Sequence, residues 1–174
     1  MPLNLENNFV NSGAFRFGVL TSINALTVVF GTPILTKYIN KMIDSSSMFI
    51  GEALEILGLS LFIFLEKRFY IAIVAMIIFT LGEIFLSVSQ ASHYSKRIPL
   101  SHRGRLLGLL HIFTSLIGTG SNYLVGLLLD SFDFKSVWIM ISIIGVLLLG
   151  FYIVYIKMDR KSYPKLYVKN KEIR

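Results

Sequence analysis

The chain has 174 residues, 54% of them hydrophobic and 16% charged, with a mean hydropathy of +0.67 and a net charge of +7. So apolar a composition sets aside a water-soluble domain. The absence of cysteine excludes a disulfide framework, a thiol nucleophile and a cysteine-based metal site.

Five apolar stretches, residues 17–36, 48–65, 69–92, 106–129 and 137–156, each reach the roughly 20 residues that a helix needs to cross a bilayer core. Lipid offers no hydrogen-bond partners, so such a segment spans as a helix or as part of a closed barrel. Barrel strands would alternate with period two, and these stretches do not. The expected fold is an all-α membrane protein of five transmembrane helices.

Charge gives the expected orientation. The connections after the first and third spans and the segment after the fifth carry thirteen of the seventeen basic residues, from Lys37 and Lys41 through Lys96, Arg97, Arg103 and Arg105 to the seven in the tail. Basic residues are retained in the cytoplasm. The reading is therefore an external segment at 1–16, a bundle at 17–156 and a basic cytoplasmic tail at 157–174. The protein is expected in the cell membrane, with its N-terminus outside. The basic excess is explained by topology, so no nucleic-acid partner is expected; the tail is a topology determinant or a binder of anionic lipid headgroups.

The first span carries a short polar edge of Thr21, Asn24 and Thr27, and Pro33 near its end is expected to bend the helix without ending it. Asn24 either bridges two helices or lines a pathway. In the second span, Glu52 lies near the basic end, as an interfacial anchor or a partner for a loop lysine. Glu55 is deeper, about 12 Å in, with no partner named by the sequence.

The third span holds Glu83 on one face with Thr80, Ser87 and Gln90. Such a stripe should face a bundle interior or an aqueous cavity. A carboxyl group at that depth is a candidate for proton exchange or a packing group held by a neighbouring hydroxyl; the residues alone leave both open. The fourth span repeats Gly104, Gly108, His111, Ser115, Gly118, Asn122 and Gly126 at steps of three and four. Small residues so spaced let helix backbones approach, so Gly108, Ser115, Gly118, Asn122 and Gly126 are expected to pack against a neighbouring helix. Gly145 and Gly150 of the last span are read as packing residues. His93 and His102 fall in the basic loop, where neighbouring cations disfavour a metal. No phosphate-binding loop, metal-ligand spacing or nucleophile–base constellation is present, so no catalytic residue, metal or cofactor is expected, and an enzyme is not.

Several of these runs resemble the major facilitator superfamily, in its proton-coupled multidrug-efflux type. Phe17-Gly-Val-Leu-Thr-Ser-Ile-Asn-Ala-Leu-Thr-Val-Val-Phe-Gly-Thr-Pro-Ile is similar to that family's eighth helix, and Thr80-Leu-Gly-Glu83 to its tenth. Ile98-Pro99-Leu100-Ser101-His102-Arg103-Gly104-Arg105-Leu106-Leu107-Gly108 resembles the loop between helices ten and eleven, and residues 118–130 the glycine-rich eleventh helix. Pro2-Leu3-Asn4-Leu5 resembles the outer end of helix seven.

The resemblance implies that the five spans form most of one six-helix half, equivalent to helices eight to twelve of a fold whose substrate sits between two halves. It further implies that Glu83 and Gln90 face the cavity and that Asn24 and Glu55 are pathway candidates. The implied partners are protons, a small-molecule substrate, the bilayer and a missing amino-terminal half. The chain departs from the family pattern at Glu55, where an apolar residue or glycine is usual, and at Ser87-Val88-Ser89, where a proline is usual. The expected function is efflux of hydrophobic or amphipathic compounds by proton antiport, in a chain that does not transport alone. Three forms are open: a truncated transporter, a split half that assembles with a separate partner, or a small membrane interaction protein.

Overall fold

The structure, a computed structural model, describes residue 5 and residues 12–65 and 68–167. Five helices account for nearly all of them: α1 Gly13–Ile39, α2 Asp44–Leu61, α3 Phe69–Arg97, α4 Arg103–Ser131 and α5 Phe134–Ser162. Each is long and apolar enough to cross a membrane. The chain is a multi-pass helical membrane protein.

The helices outrun the apolar stretches. α1 begins at Gly13, inside the segment expected to be external, and Pro33 sits within it without ending it. α3 runs on through Ser92, His93 and Tyr94 to Arg97, where Ile98 turns extended before Pro99, as the residue preceding a proline prefers. The expected tail is helical through Ser162, followed by a 3₁₀ turn at Pro164–Tyr167. Residues 1–4 and 6–11 of the expected external segment, and 168–174 of the tail, lie outside the described residues.

Four-residue and two-residue connections make the sequential pairs α1–α2 and α4–α5 antiparallel neighbours in the chain. Asp133 caps α5 by accepting hydrogen bonds from the Ser136 backbone N–H (3.4 Å) and hydroxyl (2.5 Å). The hydroxyl bond holds the Asp133 carboxyl below its ordinary pKa.

The bundle is built on the α2–α3 seam. Gly51 and Gly58 of α2 face Gly82, Phe79 and Ala75 of α3 so closely that a Cβ on Gly82 would lie 2.6 Å from the Gly51 carbonyl oxygen and 2.7 Å from the Glu55 backbone nitrogen. A Cβ on Gly58 would come within 2.7 Å of the Phe79 nitrogen. The seam is closed at one end by a hydrogen bond of 2.8 Å from the Ser89 hydroxyl to that of Ser47. Gly51 and Gly58 are one heptad apart, as are Ala75, Gly82 and Ser89, the repeat that keeps two crossing helices in register.

A second face of α2, carrying Ser45, Phe49, Glu52 and Ile56, turns to α5. There Phe49 stacks on Tyr152 with ring centres 6.1 Å apart, and Ile56 fills the space beside Gly145, as expected of that glycine. At the end away from the basic residues, Leu20, Phe62, Leu65, Ala72, Ala75 and Met76 form the apolar core. Trp138 stacks on Phe62 at 5.1 Å, and Arg16 lies 4.7 Å over the Phe69 ring.

The basic end is tied by charge. Lys96 reaches Asp44 at 2.8 Å. Arg97 grips Asp159 with two parallel bonds of 2.9 and 2.6 Å, joining the ends of α3 and α5. Tyr167, from the final turn, donates its one proton to Asp159, and its oxygen lies 2.8 Å from the Ser45 hydroxyl, which brings α2 into the same knot. Burial and the bond to Asp159 raise the Tyr167 phenol above its ordinary pKa, which keeps it a donor.

α4 behaves differently from the others. It touches α3 where Arg103 donates to the Ser95 carbonyl at 2.8 Å, makes few contacts with α5, and holds no buried residue. Among the described residues, a Cβ on Gly108, Gly118 or Gly126 meets nothing within 4 Å, and Ser115 and Asn122 are exposed. The expected packing of this stripe is therefore not made within the chain, and close glycine packing occurs on the α2–α3 seam instead. Gly150 likewise meets nothing, contrary to the packing reading.

Candidate functional site

Glu83 is the middle residue of the 29-residue α3. A carboxylate at that point is as far from either helix end as the element allows, about 21 Å at 1.5 Å per residue. α1 supplies its partner. The Asn24 amide donates to the Thr80 hydroxyl at 2.9 Å and to Glu83 Oε2 at 3.4 Å. Thr80 is buried and donates in turn to the Met76 carbonyl, so its hydroxyl is oriented to accept from Asn24. An amide, a hydroxyl and a carboxylate from two helices thus meet at mid-depth.

Asn24 is half-buried, but Glu83 is exposed and stands on the open flank beside α1. Glu55 approaches from the other side. Its stem lies against Gly82, the residue before Glu83. The lack of a side chain at Gly82 is what admits Glu55. Of the four pathway candidates, Asn24 and Glu83 therefore meet, while Glu55 sits on the α2 side of α3, against Gly82. Gln90 lies two turns along α3, half-buried, with no hydrogen bond to them among the described residues.

Glu83 thus has one hydrogen-bond donor, Asn24, and an open side facing outward, at a depth where a carboxyl group is costly without a partner.

Other residues stand apart from their expected places. Glu52 finds no lysine: it lies on the α5 face of α2 and makes no hydrogen bond or ion pair among the described residues. His93 belongs to no loop. It is buried within α3, with Nε2 at 2.7 Å from the Tyr155 hydroxyl. His111 is exposed on α4. The Arg97–Asp159 pair went unread in the sequence, since nothing local links residues 62 apart.

Comparison with known proteins agrees with a multi-pass membrane transporter. A Na(+), Li(+), K(+)/H(+) antiporter of Planococcus maritimus is 35% identical over 95 residues, 54% of this chain and 22% of that protein. The matched stretch is thus about a fifth of that curated relative's length. No solved structure matches the chain. The model of the Major Facilitator Superfamily matches residues 2–172, nearly the whole length, and the chain belongs to that family of transporters.

Proposed function

We propose that this chain forms the carboxy-terminal part of a proton-coupled antiporter, with Glu83 as the group that carries the proton and Asn24 as its positioning partner. The observation that carries this reading is the meeting of Asn24, Thr80 and Glu83 at the midpoint of α3. The basic end faces the cytoplasm, following the positive-inside rule, in the cell membrane. Gln90 lines the same pathway further along, and Glu55 sets the charge that Glu83 feels.

The relative's name favours monovalent cations as cargo. A carboxylate with one open side suits a small cation, which competes with the proton for one site. Efflux of hydrophobic or amphipathic compounds is the second reading, favoured by the resemblance of α1 to a multidrug-efflux helix. In either case one half offers only one wall of a pathway, so transport requires an amino-terminal half. The exposed glycine face of α4 is consistent with such a missing neighbour, which also serves the reading of a bare interaction protein less well than the mid-depth carboxylate serves transport.

Everted membrane vesicles with a ΔpH-sensitive dye test this. Co-produced with the amino-terminal half of the Planococcus antiporter, the chain is expected to give proton flux on addition of Na+, Li+ or K+. Glu83→Gln should abolish that flux and Glu83→Asp retain part of it, while the chain alone gives none. Proton-linked flux from the chain alone, an unimpaired Glu83→Gln variant, or no flux in any combination would each count against the proposal.

A further inference from the structure

Glu52 poses a separate problem. It lies about 12 Å from the start of α2 at 1.5 Å per residue, half-buried and without a polar partner among the described residues. A half-buried carboxylate with no partner is costly even toward the end of a span. What surrounds it is aromatic. A cleft of about 330 Å³ opens between α2 and α5, lined by Glu52, Leu148, Phe151, Tyr152 and Tyr155. That volume is at the small end of ligand sites, which run about 300–1,000 Å³.

The hydroxyls of the two tyrosines are already engaged. Tyr155 meets His93 Nε2 at 2.7 Å, and Tyr152 points to the Ser45 carbonyl at 3.5 Å. What the cleft offers is therefore aromatic surface from Phe151, Tyr152 and Tyr155, the last two with ring centres 5.5 Å apart, beside one negative charge. A metal ion would want several oxygens at once, and here one carboxylate is free. Aromatic faces with a carboxylate suit a weakly hydrated organic cation, held by the ring quadrupoles and by charge. The outer rim is lipid-facing, with Phe151 72% and Leu148 52% exposed, so an apolar tail can continue from the cleft into the bilayer.

We infer that the cleft between α2 and α5 is a binding site for an alkylammonium group entering from the membrane, with Glu52 as its counter-charge and Phe151, Tyr152 and Tyr155 as its walls. The group comes either from a lipid headgroup bearing an ammonium or from a free cationic amphiphile. The site turns to α5, away from the α3 seam and Glu83, and holds whatever the antiporter's cargo.

The test is photolabelling of the chain in nanodiscs of a neutral glycolipid, using a diazirine-bearing tetradecyltrimethylammonium and peptide mapping by mass spectrometry. Saturable labelling is expected on α2 around Glu52 and on α5 around Phe151. Glu52→Gln should weaken it about tenfold and Phe151→Leu several-fold, with Glu52→Asp close to the parent. Because Phe151 is exposed, its variant keeps the test alive if Glu52→Gln alters the fold. Displacement by phosphatidylethanolamine doped into the disc assigns the lipid source; displacement by soluble tetrapropylammonium alone assigns the free cation. Equal labelling by the uncharged carbon isostere of the probe, unchanged labelling in both variants, or labels mapping elsewhere would overturn the site.

Discussion

Replacing Arg97 by methionine should destabilise the bundle by about 3–5 kcal/mol, and Asp159→Leu by a similar amount, because each leaves a buried charge without its partner. The side chains of Arg97 and Asp159 are only 12% and 4% exposed, and two parallel hydrogen bonds join them. The geometry is the bidentate fork that makes arginine–carboxylate pairs strong and specific. Asp159 also takes the Tyr167 hydroxyl, which in turn reaches Ser45. Losing it therefore unties α2, α3 and α5 at one end together. The decisive measurement is the double variant, Arg97→Met with Asp159→Leu, followed by thermal unfolding in detergent. Removing both charges removes the unpaired ion, so the pair should recover much of the loss. Simple addition of the two single losses would show that the pair is not coupled. Lys96→Ala is the useful contrast. Its salt bridge to Asp44 has a lysine 46% exposed, and pairs so placed contribute about 0–1 kcal/mol.

The spans were legible because nothing but a lipid-spanning helix accommodates so long an apolar run. Their ends were not. The hydropathy of α3 falls away at Ser92, yet Ser92, His93, Lys96 and Arg97 remain helical because each finds a polar partner on a neighbouring helix or within its own last turns. Those partners are distant in sequence, so composition shows only a decline in apolarity. The mid-membrane site was half visible. Periodicity put Thr80 and Glu83 on one face of α3, but it could not say that Asn24 of α1 would close on them. The glycine reading shows the same limit: spacing tells where a backbone can be approached, and says nothing of what approaches. The denser stripe on α4 drew attention, while the small residues in contact were the sparser heptad pairs, Gly51 with Gly58 and Ala75 with Gly82. Heptad spacing of small residues on two neighbouring spans was the signal that could have found the seam.

Those two sets of glycines give opposite expectations for one kind of substitution. Gly82→Ala adds a methyl group 2.6 Å from the Gly51 carbonyl oxygen and 2.7 Å from the Glu55 nitrogen. Both obstacles are backbone, so no rotamer change relieves the clash and α2 must move away from α3. Overpacking of this kind costs about 1–3 kcal/mol, occasionally more, and Gly82→Val should exceed Gly82→Ala. Gly58→Ala, blocked by the Phe79 nitrogen at 2.7 Å and the Ala75 oxygen at 2.9 Å, should behave alike. Gly118→Ala meets nothing within 4 Å, and exchanging an open helical glycine for alanine removes conformational freedom from the unfolded chain. It should be neutral or stabilising by up to about 1 kcal/mol. Parallel unfolding of the four variants separates the cases, and equal losses at Gly82 and Gly118 would refute the seam as the place where the backbones touch. The seam also adjoins the site, since Gly82 is the residue before Glu83. A separation of α2 from α3 shifts Glu55 relative to Glu83, so Gly82→Ala should alter the coupling assay at temperatures where the protein is still folded. Gly118→Ala, tested on the chain alone for stability, carries no such displacement.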